Sequence, residues 1–338
     1  MTKRISIVCL LILAAIGFGC RHSAQPGALE TNVRVMTDDL GRGVKIPANV
    51  ERAISLAPNL TEIVFAVGAG DKLAGVTSYC NFPAEAQSIQ KVSDTLMPNI
   101  ENIIALKPQV VFVSTASQLE SFMQTLNEQN IVVFVTAPDG IDGIYKSILD
   151  VGTILGRETN AEEVVTGLKK RVSFVENQTA GVERPKVFVQ IDKNALYTIG
   201  KESFITDIIR RAGGVSATAD VGTAYPKLSK ETALALRPDV IILSESDGNR
   251  EPNEVFKNSP AVKNGRVFSV DADLLSRPGP RVVDALEKIA KDLHSDWNAG
   301  TLPARGVFDA YSFSRQKFVR VEATLMQARA PAVQSKSL

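Results

Sequence analysis

At 338 residues the chain is long enough for two domains of ordinary size, each with its own core. A hydrophobic share of 44% and a charged share of 22% exclude a disordered chain and a polytopic membrane protein, and Lys+Arg 38 against Asp+Glu 37 lacks the basic excess of a nucleic-acid binder. With only 2 His (His22 and His294, far apart) and 3 Cys without a CxxC pair, the chain offers neither an imidazole-built zinc site nor a disulfide framework.

The chain opens on an export signal. Lys3 and Arg4 precede the apolar run Ile5–Phe18, which is too short to span a bilayer comfortably and reads as a signal peptide over residues 1–19. Ile16-Gly17-Phe18-Gly19-Cys20 resembles a bacterial lipobox, in which Cys20 would carry the lipid. Ordinary cleavage, with Cys20 incidental, is the alternative. Either reading puts the mature chain outside the cytoplasmic membrane. Residues 20–32 read as a linker, and Cys80 is then a lone thiol expected to act as a small buried hydrophobe.

Next, Val33–Met36 and Val44–Ile46 flank Asp38-Asp39-Leu40-Gly41-Arg42-Gly43, a hairpin by its turn residues. Short buried strands are predicted at Ala53–Leu56, Val110–Val113 and Ile131–Val135, alternating with helices at Leu60–Val67 and Gln118–Gln129. That alternation defines a βαβ lobe over residues 33–157.

A helix follows, predicted over residues 158–180, with Thr159 and Glu162 in a capping-box pattern and Ala161, Val164, Val165, Leu168, Val172 and Val175 on one face. This helix alone is expected to join the lobes and to keep the cleft between them fairly rigid. A second lobe is predicted over 181–298, with strands at Lys186–Ile191, Val240–Leu243 and Val267–Val270 and helices near Phe204–Ala212 and Val282–Leu293. Residues 299–338 read as an extension with a partly disordered Ser/Ala/Pro-rich end and a candidate helix at Phe308–Gln327.

The two lobes share a repeat. Asn99-Ile-Glu101-Asn-Ile-Ile-Ala-Leu-Lys107-Pro108 runs into Gln109-Val-Val-Phe-Val113, and Ser229-Lys-Glu231-Thr-Ala-Leu-Ala-Leu-Arg237-Pro238 into Asp239-Val-Ile-Ile-Leu243, without a gap and 130 positions apart. Each copy has a capping residue, a Glu in the first turn, a short apolar helix, a basic-Pro stop and a buried strand. A repeat of this length predicts two similar α/β lobes.

Further motifs occur in a fixed order: Asp39-Leu40-Gly41-Arg42, Ser55-Leu56-Ala57-Pro58-Asn59-Leu60-Thr61-Glu62, Gly68-Ala69-Gly70-Asp71, Tyr79-Cys80-Asn81-Phe82-Pro83 and Arg277-Pro278-Gly279-Pro280-Arg281. Together with the repeat they resemble the iron-siderophore and cobalamin substrate-binding proteins of ABC importers over residues 33 to 297, most of all the cobalamin branch. The segment Asp94-Thr95-Leu96-Met97 lacks the Trp that some cobalamin binders carry there. The resemblance implies two Rossmann-like lobes bridged by a single long α-helix, an ABC permease and ATPase as partners, and a monomer. It also implies a corrinoid as transported ligand rather than a cofactor, with ferric siderophore or haem as the alternative.

The same resemblance implies roles for particular residues. Glu101 and Glu231 would dock into basic pockets of the permease; complementing the helix dipole would equally place a Glu there. Tyr79, Tyr197 and Tyr225, out of 5 Tyr in the chain, match aromatic ligand positions, with surface anchoring as the alternative. Asp271, Asp273, Arg277 and Arg281 follow the last predicted strand and would bond corrinoid amides, neutralise an anionic siderophore, or pair with one another to shape the loop. An enzyme on the same scaffold is the reading from another class, and a sensory receptor lobe a third. The sequence carries no Gly-x-Ser-x-Gly elbow and no phosphate loop, and it is too poor in His for a triad.

Overall fold

The computed structural model describes residues 33–94, 98–114 and 119–294. The signal segment, Cys20, the linker and the extension 299–338 lie outside the described residues.

The hairpin is formed by β1 (Val33–Thr37) and β2 (Gly43–Pro47). Gly41 takes φ 75° at its tip, where an L side chain is disfavoured. Asp38 closes the turn: its Oδ1 accepts from the Leu40 and Arg42 N–H groups at 3.1 and 3.0 Å, and its Oδ2 pairs with the Arg42 guanidinium.

The first sheet comprises β3 (Ala53–Ser55), β4 (Leu73–Thr77), β5 (Lys91–Ser93), β6 (Val110–Val113) and β7 (Val132–Val135), all parallel in the order β5-β4-β3-β6-β7. Helices α1 (Pro58–Ala66), α2 (Ile100–Ala105) and α3 (Leu119–Glu128) make its crossovers. β3 and β6 are buried throughout, as parallel strands covered on both faces must be.

The chain then passes to the second sheet through α4 (Ile141–Ile154) and α5 (Glu158–Gln178). That sheet contains β8 (Lys186–Gln190), β9 (Val215–Ser216), β10 (Val240–Glu245) and β11 (Val267–Asp271), parallel in the order β11-β10-β8-β9. Around it lie α6 (Phe204–Arg211), α7 (Lys230–Leu236), α8 (Pro260–Lys263), α9 (Ala272–Ser276) and α10 (Val282–Leu293).

One expectation about the connection needs correction, while α4 falls within the span 33–157 expected for the first lobe and α5 within the 158–180 expected for the joining helix. The capping box is absent: the N-cap of α5 is Arg157, which makes no side-chain cap bond. The reason is the tightness of the corner. Gly156, at φ 66°, and Arg157 donate back to Thr153 O and Gly152 O at 3.3 and 2.7 Å, closing α4 with a Schellman turn. Arg157 therefore ends one helix and begins the next, and Thr159 and Glu162 fall inside α5.

At 21 residues α5 is a rod of roughly 32 Å. Its predicted apolar face is buried, and one hydrophobic cluster runs from the first sheet through α4 and α5 to the second. Arg171 on that face was not anticipated. It is 2% exposed and reaches α10, where Glu287 accepts at 2.7 Å from both Nε and Nη2 and Asp284 lies at 2.6 Å. A second cross-tie centres on Arg211 of α6, which pairs with Asp142 of α4 at 2.6 Å and Glu176 of α5 at 2.9 Å. Directional ion pairs thus reinforce the apolar contact between the two halves.

Candidate ligand cleft and docking face

A helix leading into a parallel strand runs antiparallel to it, so α2 and α7 begin at the carboxyl edges of their sheets. Open α/β sheets bind ligands at that edge. Loops from both lobes supply the predicted site residues there.

Tyr79 lies two residues beyond β4 and is 58% exposed. Its neighbour Cys80 is buried as expected and holds the loop down: Thr61 donates to Sγ at 3.1 Å, and Thr77 Oγ1 lies 3.2 Å away. Tyr197 and Tyr225, 42% and 46% exposed, sit on two antiparallel segments of the second lobe. Thr198 N–H donates to Pro226 O at 3.0 Å and Gly200 N–H to Ala224 O at 2.9 Å. Burial raises the pKa of the Tyr225 hydroxyl, and a hydrogen bond with Ser203 only partly offsets it, so the phenol stays protonated at neutral pH. All three tyrosines are exposed residues that combine an aromatic ring with a hydroxyl.

The polar residues behave differently. Asp271 caps α9, its Oδ1 accepting from Leu274 N–H at 3.1 Å. Arg277 and Arg281 turn inward onto Glu62 of α1, a residue 1% exposed in the first lobe. Arg281 bonds both Glu62 oxygens, Nε to Oε2 at 3.0 Å and Nη2 to Oε1 at 2.5 Å, and Arg277 Nη1 reaches Oε1 at 3.2 Å. Arg277 also contacts Asn81 Oδ1 at 2.7 Å and Asp273 at 2.6 Å, while Asn81 donates to Asp273 at 3.0 Å. The Arg281 guanidinium lies 4.0 Å from the centre of the Phe82 ring. Burial works against the Arg281 charge, but Glu62, Asp273 and Asp271 outweigh it and raise its pKa.

Glu62 closes the motif Ser55–Glu62, and the sequence alone assigns it no role. The available signal was a carboxylate set in the apolar run Leu60-Thr61-Glu62-Ile63-Val64, where an unpartnered charge would be costly. Among the described residues no group of three His, Cys, Asp or Glu side chains is placed to hold a metal ion.

Glu101 and Glu231 occupy equivalent exposed places in the first turns of α2 and α7. Asn99 accepts from Asn102 N–H at 2.9 Å, and Ser229 from Thr232 N–H at 3.1 Å. The equivalence extends to the helix ends, where Arg52 donates to Leu106 O at 2.8 Å and Lys186 to Leu236 O at 3.4 Å. Strand register agrees too: Ala53 pairs with Val110 as Val187 pairs with Val240. The Glu231 carboxyl is held below its usual range by its own backbone N–H, then by the Ser229 hydroxyl, so it is an anion at any physiological pH.

Two parallel α/β lobes with exposed aromatics at their carboxyl edges make a solute-binding architecture. The chain belongs to the Periplasmic binding protein family, which it matches over residues 54–274. It is 30% identical over 312 residues to the ABC transporter substrate-binding lipoprotein YvrC of Bacillus subtilis, covering 88% of this chain and 99% of that one. It is 29% identical over 245 residues to the vitamin B12-binding protein of Vibrio cholerae, covering 72% and 89%. Among solved structures, the Vibrio cholerae vitamin B12-binding protein BtuF superposes with TM-score 0.66 at 28% identity, covering 73% of this chain and 98% of that one. The haem-binding protein RhuT of Roseiflexus superposes at 0.65 and 24% identity, covering 73% and 99%, a likeness of fold. The protein is a substrate-binding protein of the ABC-importer class, a family of transport proteins that work outside the cytoplasm.

Proposed function

We propose that the protein is a lipid-anchored carrier that captures cobalamin or a related corrinoid between its lobes and delivers it to an ABC permease that recognises Glu101 and Glu231. The observation that carries this reading is the commitment of Arg277 and Arg281 to Glu62, which leaves Tyr79, Tyr197 and Tyr225 as the exposed groups of the predicted set beside Asp271, whose carboxylate caps α9. An anionic siderophore favours unpaired guanidiniums. A broad, amide-fringed corrinoid favours aromatic faces with neutral hydroxyls. The relatives named for vitamin B12 support the same choice. Arg277, Asp271 and Asp273 then act by shaping the second lobe's loop, and cargo contact falls mainly to the tyrosines.

Calorimetric titration with cyanocobalamin, cobinamide, hemin and a panel of ferric siderophores tests this. One-to-one corrinoid binding that Tyr79→Ala or Tyr225→Ala weakens at least tenfold supports the reading. Binding of a siderophore or hemin in place of corrinoids refutes the corrinoid and keeps the carrier.

A further inference from the structure

The contacts around Glu62 differ from the other ties between the lobes. Arg171 and Arg211 join helices to helices, in the layer behind the sheets. Glu62 instead joins two loops that carry the candidate site. It stands on α1, which is rooted in the first lobe's core by Leu60, Ile63 and Val64, all fully buried. From there one carboxylate holds both ends of the segment 277–281 of the second lobe. Arg277 passes the constraint back to Asn81, two residues from Tyr79, and Arg281 covers Phe82. At the same place Asn59 donates to Pro278 O at 3.4 Å, and a Cβ on Gly279 would stand 3.3 Å from Asn59 O.

A buried ion pair contributes little net stability compared with an apolar replacement, but it fixes geometry, and a two-point carboxylate–guanidinium bond fixes orientation as well. Apolar packing between the lobes would tolerate small slides; this arrangement does not. We infer that Glu62 is a positioning residue of the cargo site: without touching cargo, it sets the placement of the Tyr79 loop against the second lobe. The cleft is thereby organised before cargo arrives, which reduces the ordering cost of binding. The inference rests on the cleft being the cargo site, so one arm of its test uses no cargo.

The test compares Glu62→Gln, Asn81→Ala and Glu287→Gln in the full chain. Glu62→Gln keeps the side-chain volume and removes the charge. Asn81 is exposed, so Asn81→Ala breaks the cross-lobe bonds without leaving a buried charge and without threatening folding. Glu287→Gln weakens the Arg171 tie and serves as the control for a purely structural loss. Without cargo, hydrogen exchange over residues 78–83 and 277–283 should quicken in the Glu62 and Asn81 variants and stay unchanged in the Glu287 variant. Cyanocobalamin should bind at least tenfold more weakly to Glu62→Gln and about threefold more weakly to Asn81→Ala, with the melting temperature of the latter unchanged. Glu287→Gln should melt lower yet bind normally. Native exchange in Glu62→Gln overturns the inference, as does affinity that falls only in step with melting temperature across the three variants. If cyanocobalamin fails to bind the unaltered protein, the corrinoid reading falls, and the exchange arm alone decides the role of Glu62.

Discussion

Lys107 and Arg237, 130 positions apart, both leave their helices in the left-handed region, at φ 48° and 45°, and each directly precedes a proline. A basic side chain in that conformation is uncommon once in a chain. Here it recurs at equivalent corners, with a polar side-chain cap at each helix start and a basic donor at each helix end. The two lobes therefore present Glu101 and Glu231 on near-identical supports, fixed relative to one another by the cross-ties of α5.

In the proposed delivery to a permease, two like carboxylates on a rigid body would serve as a two-point docking key. Glu101→Ala and Glu231→Ala should each reduce uptake through the cognate permease, and the double variant should reduce it by at least tenfold. Cargo affinity should be unchanged in all three, since both side chains are exposed on the first turns of α2 and α7 and neither belongs to the tyrosine loops, although Tyr225 lies only six residues before Glu231. Transport into proteoliposomes, with calorimetry alongside, checks both halves. Undiminished transport by the double variant removes the docking role.

The left-handed corners make a prediction of their own. A non-glycine residue in that region costs about 1–2 kcal/mol, and both side chains are exposed, so little packing is lost on replacing them. Lys107→Gly and Arg237→Gly should each stabilise the protein by about 0.5–1 kcal/mol after the entropy of glycine in the unfolded chain is counted. Arg237→Ala, which keeps the strain, should not. Urea midpoints distinguish the two substitutions.

The sequence foretold most of these supports because they are local: cap, first-turn Glu, basic-Pro stop and apolar strand all lie within fifteen residues of one another. What it withheld depends on distance. Glu62 meets its arginines 215 and 219 positions further on, and no spacing rule links them. The unforeseen elements α4 and β4 have another cause, since glycines weaken their local pattern. Gly152 sits where a Cβ would come within 2.4 Å of Ala161, and Gly75 where one would come within 2.7 Å of Val92. Each glycine permits a close approach that tertiary packing rewards and local propensity does not show. The tyrosines were legible as loop residues, while the ribbon that sets Tyr197 opposite Lys227, two residues from Tyr225, was not.

That ribbon hinges on Gly200. A Cβ there would stand 1.9 Å from Thr223 O and 2.7 Å from Val221 O, and both obstacles are backbone. Gly200→Ala must push residues 221–226 away and move Tyr225 with them. A loss of about 2–3 kcal/mol of stability is expected from such overpacking. Cargo affinity should fall at least as far as in Tyr225→Ala. Gly222→Ala, where the added carbon meets nothing within 4 Å, should leave both unchanged. Thermal melts and titrations of the pair settle the point.

Asp207 gives the tie between α4 and α6 a pH signature. Burial alone would raise its pKa; the Ile141 N–H bond at 3.0 Å and the Arg210 and Arg211 guanidiniums outweigh burial and lower it. A carboxyl whose folded pKa lies below its unfolded value adds stability that is present above the unfolded value, near pH 4, and is lost as pH falls through the folded one. Asp207→Asn keeps an acceptor for Ile141 but removes the charge between the arginines. It should therefore cost about 1–3 kcal/mol at pH 7. As pH falls below about 4 toward the folded pKa, the gap between variant and native protein should narrow, being smaller at pH 3 than at pH 7. Urea midpoints for both proteins at the two pH values measure the gap directly, and a difference that stays constant with pH would show that Asp207 contributes through shape and not through its charge.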